Sequence, residues 1–212
     1  MDPFMRAIFV AAAVALGTAS TANAVTIVNG SFETGRYSNR VFDTLFAGNT
    51  ALTGWTIGGG GVDWMSTIWQ RADGDRSIDL SALTAGSIAQ TITTVQGKRY
   101  EVSFALAGNP GGTPTAKVVT LTVNNGQSQA FGFDTRGRSA ARMGWTDNVY
   151  SFVATGTAST LKFTSGNNNP SGPALDNIRI AAVPEASVWA MLVVGFGLVG
   201  GAARRRSILV SA

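Results

Sequence analysis

The sequence predicts an all-β protein built as a jelly-roll β-sandwich, and three observations carry that expectation. Apolar residues alternate with polar ones at the strand period of two. Each alternating run is short and ends in turn residues. Charged residues make up only 13% of a chain with 26 glycines, too few for the solvated faces of a helical bundle. About eight to ten short strands, with no tandem repeat and no long amphipathic helix, fit a sandwich.

In chain order, the first element is a leader. Met5-Arg6 is a short basic start, Ala7 to Leu16 is apolar, and Ala22-Asn23-Ala24 is a small-x-small cleavage site before Val25. Residues 1–24 therefore read as a signal peptide, to be removed by signal peptidase. Met1 to Phe4 fit that pattern poorly because of Asp2, so translation is expected to start at Met5; N-terminal mapping of the precursor tests this.

Residues 25–183 are the expected sandwich. Tyr100, Val102, Phe104 and Leu106 alternate with Glu101, Ser103 and Ala105, and Val119, Leu121 and Val123 with Thr120 and Thr122. Phe131 and Phe133 flank Gly132, Leu161 and Phe163 flank Lys162, and Ile178 and Ile180 flank Arg179. Asn109-Pro110-Gly111-Gly112, Asn124-Asn125-Gly126 and the stretch from Gly166 to Pro170 supply turns. After Val183 the character changes. Pro184-Glu185 leads into an uncharged stretch, Ala186 to Ala203, with Trp189 near its start and Arg204, Arg205 and Arg206 behind it. That stretch has the length of a bilayer core, and its aromatic and basic ends orient it with the arginines cytoplasmic and the domain outside. Residues 184–206 are thus expected to be a transmembrane anchor segment, and 207–212 a cytoplasmic tail.

Composition closes several routes. The chain has no Cys and no His, which removes disulfides, thiol nucleophiles, Cys-based zinc sites and His-based acid–base chemistry. The net charge of +4 is concentrated in the leader and tail; the central region keeps 12 basic and 10 acidic residues, a net of +2. The basic pI is therefore a targeting feature, and no nucleic-acid partner is expected.

Asp63, Asp73, Asp75 and Asp79 cluster beside Trp64 and Trp69, which raises the question of a glycosidase. Such an enzyme needs two carboxyl groups about 5 Å or about 6.5–9.5 Å apart. The plainer reading is a Gly-Asp turn leading into a strand from Ser77 to Leu80. Asp73-Gly74-Asp75 lacks the later ligands of an EF-hand, and Gly58 to Gly61 lacks the Lys-Ser/Thr ending of a phosphate loop. Sugar binding asks for less: flat aromatic faces, with amides or carboxylates for hydroxyls. Trp64 and Trp69, in a polar, loop-flanked segment, are the preferred stacking residues, with Asp63 and Asn109 as their polar companions. Trp145, Tyr150, Gln70 and Asn148 are further candidates, while Trp55 sits in an apolar run and reads as core.

The tail, Val183-Pro184-Glu185-Ala186-Ser187-Val188-Trp189 through Gly195-Phe196-Gly197 to the arginines, resembles the PEP-CTERM sorting signal. That resemblance implies recognition by an exosortase, cleavage near the motif, and a Gram-negative producer of exopolysaccharide. Ala186 stands where that signal has its second proline. Over the domain, Asn29-Gly30-Ser31-Phe32-Glu33, Leu52-Thr53-Gly54-Trp55, Gly74-Asp75-Arg76-Ser77-Ile78-Asp79-Leu80 and Gly172-Pro173-Ala174-Leu175-Asp176-Asn177-Ile178 resemble the choice-of-anchor C family. This family is similar in turn to galactose-binding-like jelly rolls of plant cell-wall proteins and carbohydrate-binding modules. First and last strands often meet in such a fold, so Glu33 and Asp176 could share a structural Ca²⁺ with backbone carbonyls, as similar modules do. Alternatively, Glu33 pairs with a basic side chain and Asp176 caps a turn.

The expected protein is an exported, exosortase-sorted, non-catalytic polysaccharide binder. It would be held in the inner membrane before processing and then reach the cell surface or matrix. The alternatives are a structural or adhesive matrix protein that contacts other proteins, and a carbohydrate-active hydrolase using Asp63 to Asp79.

Overall fold

The structure, a computed structural model, describes residues 25–38, 40–124, 126–184 and 193–197. The expected signal peptide lies outside them, as do Glu185, Trp189, Arg204, Arg205 and Arg206 of the expected sorting tail; Pro184 is described and exposed. Among the described residues no helix is long and apolar enough to cross a membrane.

The chain forms β1 (Phe42–Leu45), β2 (Thr56–Gly59), β3 (Val62–Met65), β4 (Ser77–Asp79), β5 (Gly86–Thr93), β6 (Arg99–Gly108), β7 (Ala116–Val123), β8 (Gln127–Asp134), β9 (Thr146–Val153), β10 (Ala158–Ser165) and β11 (Pro173–Ala182). A six-stranded sheet runs β1-β3-β4-β11-β6-β9 and a five-stranded one runs β2-β5-β10-β7-β8. β4 pairs β11, β5 pairs β10, β6 pairs β9 and β7 pairs β8, all antiparallel. A long antiparallel ribbon has therefore been rolled so that alternate strand pairs fall into opposite sheets. This is the jelly roll the alternation predicted. The short strands β1, β2 and β3 extend its two sheets and were not legible as alternation.

The core follows from the period of two. Val119, Leu121 and Val123 on β7 are buried, while Thr120 and Thr122 between them are half-buried on the outer face. Phe104 on β6 meets Phe131 on β8 and Phe163 on β10 edge to face, at centroid distances of 5.0 and 5.2 Å. One ring thus joins both sheets. Burying it contributes on the order of 3–5 kcal/mol, the usual cost of truncating a core Phe to Ala.

The two ends of the domain meet. Ile178 N–H donates to Gly30 O at 2.9 Å, and a Cβ on Gly30 would stand 2.0 Å from Ile178 O, which leaves room for glycine alone. Beside this contact β11 carries a bulge between Asp176 and Arg179, with Asn177 at φ 52°. The bulge turns Asp176 and Asn177 toward the outer face of the six-stranded sheet, under the loop that precedes β4.

Candidate functional site

Two of the expected stacking residues belong to the core. Trp64 is 0% exposed, donates Nε1–H to Phe32 O at 2.9 Å, and meets the Tyr37 ring edge to face. Trp69 is 3% exposed and donates Nε1–H to Ser77 Oγ at 2.8 Å. Neither can present a face to a sugar. Their polar sequence neighbours misled because β3 is short and its alternation is masked: Asp63 points out while Trp64 points in.

Asp63 and Asn109, both half-buried, come together around the buried Asp79. Asp63 lies opposite Asp79 in the β3–β4 register and accepts a hydrogen bond from Thr44 Oγ1 at 2.6 Å. Asp79, 1% exposed, accepts from Asn109 Nδ2, Ser81 N–H and Gly172 N–H at 2.8–3.0 Å. Burial pushes its carboxyl up to about 7, partly opposed by the Asn109 and Ser81 hydrogen bonds. Lys117, 0% exposed, donates Nζ–H to Gly112 O at 3.1 Å and Ser171 O at 2.6 Å. Burial lowers its amine, and the Asp79 charge opposes that shift. These groups tie together the loops after β4, β6 and β10. Asn109 is consumed by that task and does not face a ligand.

Glu33 and Asp176 act on one loop, as the meeting of the chain ends suggested. Glu33 Oε1 accepts from Asp75 and Arg76 N–H, both at 2.9 Å. Asp176 Oδ2 accepts from Ala72 and Asp73 N–H, also at 2.9 Å, and Oδ1 from Asn177 N–H at 2.7 Å. Asp176 thus caps a turn, and Glu33 is held by backbone amides where a basic side chain was the alternative. Both residues offer carboxylate oxygens, the donors a hard cation takes, and burial raises the Asp176 carboxyl to about 7. No three acidic side chains converge among the described residues, so most ligands would be backbone carbonyls.

A different part of the same sheet is open. A groove of about 550 Å³ lies on its outer face, lined by Gln70, Arg71 and Ala72 on one wall and Arg142, Gly144 and Trp145 on the other. Its floor is Ala105 on β6, flanked in register by Asp147 on β9 and Asp176 beside the bulge. Gln70 clamps the walls together. Its N–H donates to Ala140 O, its Oε1 accepts from Met143 N–H, and its O accepts from Trp145 Nε1–H, at 2.8–3.1 Å. Trp145 is partly buried against the core and pinned at its nitrogen, so its ring has one orientation. Among the described residues, no protein group bonds to Gln70 Nε2, the Arg142 guanidinium, the Asp147 carboxylate or the Asn177 side-chain amide. A fixed aromatic plane beside unspent donors and acceptors is the arrangement that sugar recognition requires. Trp145 and Gln70 were visible as candidates. Arg142, Asp147 and Asn177 were missed, because only the bulge and the strand register bring them to one place. A second hollow of about 860 Å³ runs along β1, but its carboxylate, Asp43, is taken by Ser38.

The chain is 33% identical over 173 residues to halomucin of Haloquadratum walsbyi, a match covering 78% of this chain and 2% of that much longer protein. Among solved structures it is similar to a family 35 carbohydrate-binding module from Clostridium thermocellum (16% identity, 59% of this chain and 90% of that one, TM-score 0.44). It is also similar to the CBM22-1 xylan-binding domain from Paenibacillus barcinonensis (19% identity, 68% and 94%, TM-score 0.46). At such identities and scores nothing about a ligand follows. The family model described as "Protein of unknown function (DUF642)" matches residues 25–181, the stretch that forms the sandwich, and the chain belongs to that family.

Proposed function

We propose that this protein is a non-catalytic polysaccharide-binding module whose sugar site is the groove beside Trp145. One observation carries the reading: a tryptophan fixed by Gln70 shares a groove with Arg142, Asp147 and Asn177, whose side-chain polar groups have no protein partner among the described residues, and with the unused Nε2 of Gln70. A pyranose would lay its C–H face on the indole and exchange hydroxyl contacts with Gln70, Asp147 and Asn177. The hydrolase reading would have to do without Asp79, which is sealed from solvent. Affinity electrophoresis of the full-length protein through gels containing different polysaccharides tests the proposal. Retardation by at least one polymer, lost in Trp145→Ala with the fold intact by circular dichroism, is expected; uniform mobility across a broad panel refutes it and favours a structural or protein-binding role.

The proposal extends to delivery. The leader ending at Ala24 and the tail from Pro184 to Arg206 support export, transient anchoring in the inner membrane and exosortase processing to the surface or matrix. Mass spectrometry of the protein from intact cells, compared with a strain lacking exosortase, tests this; an unprocessed C-terminus in both sinks it. Calcium at the loop braced by Glu33 and Asp176 is a separate proposal, tested by whether added Ca²⁺ raises the melting temperature above that of a chelated control.

A further inference from the structure

We infer that the groove beside Trp145 selects acidic polysaccharides, binding a uronate carboxylate between Arg142 and Arg71. The inference rests on the sugar-binding reading of the same groove and adds the class of glycan. Arg71 and Arg142 both line the groove, contributed by two separate segments of the chain. Arg142 has no side-chain partner among the described residues. Among the described residues Arg71 is held only by Asp75, four residues on, at 3.4 Å, and the Asp75 side chain is 87% exposed. A pair so open to water contributes little and is readily exchanged for a ligand carboxylate. The guanidinium is a planar fork of donors that matches a carboxylate with two parallel hydrogen bonds, and inside a groove such bonds are stronger than neutral ones.

Asp147 sets the limit of the charge. Among the described residues that line the groove it alone is acidic, and it lies across the floor from Asn177. A polymer with one carboxylate per ring would place that anion between the arginines and leave Asp147 to accept a hydroxyl. A densely sulfated chain would bring further anions against Asp147 at a repulsive cost. Trp145 supplies the stacking plane that separates a sugar acid from a non-sugar polyanion.

The test uses the full-length protein in gels containing polygalacturonate, the same polymer fully methyl-esterified, a neutral galactan, a sulfated galactan or polyglutamate, at about 0.15 M salt to screen diffuse attraction. The expected result is retention by the free acid about tenfold stronger than by its ester, one charge-assisted contact's worth. Arg142→Gln should reduce that ratio to near unity, and Trp145→Ala should abolish retention by both forms. Equal retention by the acid and the ester, or stronger retention by the neutral or sulfated galactan, overturns the acidic class while leaving sugar binding in place. Retention by polyglutamate as strong as by polygalacturonate overturns it too, since charge alone would then account for the effect. No retention by any polysaccharide sinks the sugar-binding reading itself.

Discussion

Two polar regions of the molecule differ in what their hydrogen bonds are for. Around Asp79 every strong group is used: the carboxylate takes donors from three places in the chain, and Lys117 is spent on two carbonyls. Around Trp145 only the scaffold is satisfied, and the groups facing the groove are left over. Asp79 and Lys117 are the more unusual residues, with perturbed ionisation and complete burial, yet they have no access to anything outside the fold. Perturbation therefore reports burial here, and unspent bonding capacity is the better sign of a site.

Substitutions can break this contrast. The largest effect is expected from Trp64→Ala, which should cost about 3–5 kcal/mol by chemical denaturation and leave little folded protein, whereas a ligand-stacking tryptophan would lose binding and keep its stability. Lys117→Ala should cost about 3 kcal/mol or more, because Gly112 O, Ser171 O and the Asp79 charge lose their buried partner. Sugar retention by the surviving folded fraction should be unchanged.

The pH dependence sharpens the same comparison. Asp79 has its folded pKa raised to about 7 from an ordinary value of 3.8, so the folded state binds the proton more tightly than the unfolded one. Its contribution to stability is greatest below pH 4, is lost as pH rises through 7, and does not return above it. The stability of the wild type relative to Asp79→Asn should therefore decline between pH 5 and pH 8, by at most on the order of 3 kcal/mol. A difference flat across that range would mean that Asp79 stays ionised in the fold. The smallest effect on stability is expected at the groove. Trp145→Ala should cost about 1–2 kcal/mol, for partial burial and one hydrogen bond, while retention by sugar falls tenfold or more.

The long strands were legible because alternation survives where both neighbours in a run obey it, as from Tyr100 to Leu106. The short strands β1 to β3 were not, since four residues hold too few repeats to show a period. The meeting of the Asn29–Glu33 and Leu175–Ile178 segments was readable from the fold class. What it holds was not, because carboxylate acceptors for backbone N–H leave no trace in composition. Trp145 was one of several aromatic candidates in the sequence, with nothing there to prefer it. Gln70 was a candidate as well, but Arg142, Asp147 and Asn177 were not, since they come from separate parts of the chain and meet through a bulge and a loop clamp. Trp64 shows the converse error: a polar neighbourhood in sequence becomes, one residue at a time, the other face of a strand.

The rolled ribbon also constrains how the molecule comes into being. Among the described strands β11 is the last to be synthesised, yet it lies between β4 and β6 in the middle of its sheet. The loop it secures, at Ala72, is 104 residues earlier in the chain. Contacts of such sequence separation close late, after the entropy of a long loop has been lost. A nascent chain that ends before Pro173 leaves facing edges on β4 and β6 with nothing between them, a state prone to pair with other chains. The domain is therefore completed from its C-terminal side, and any C-terminal truncation that spares the fold has to fall beyond Ala182.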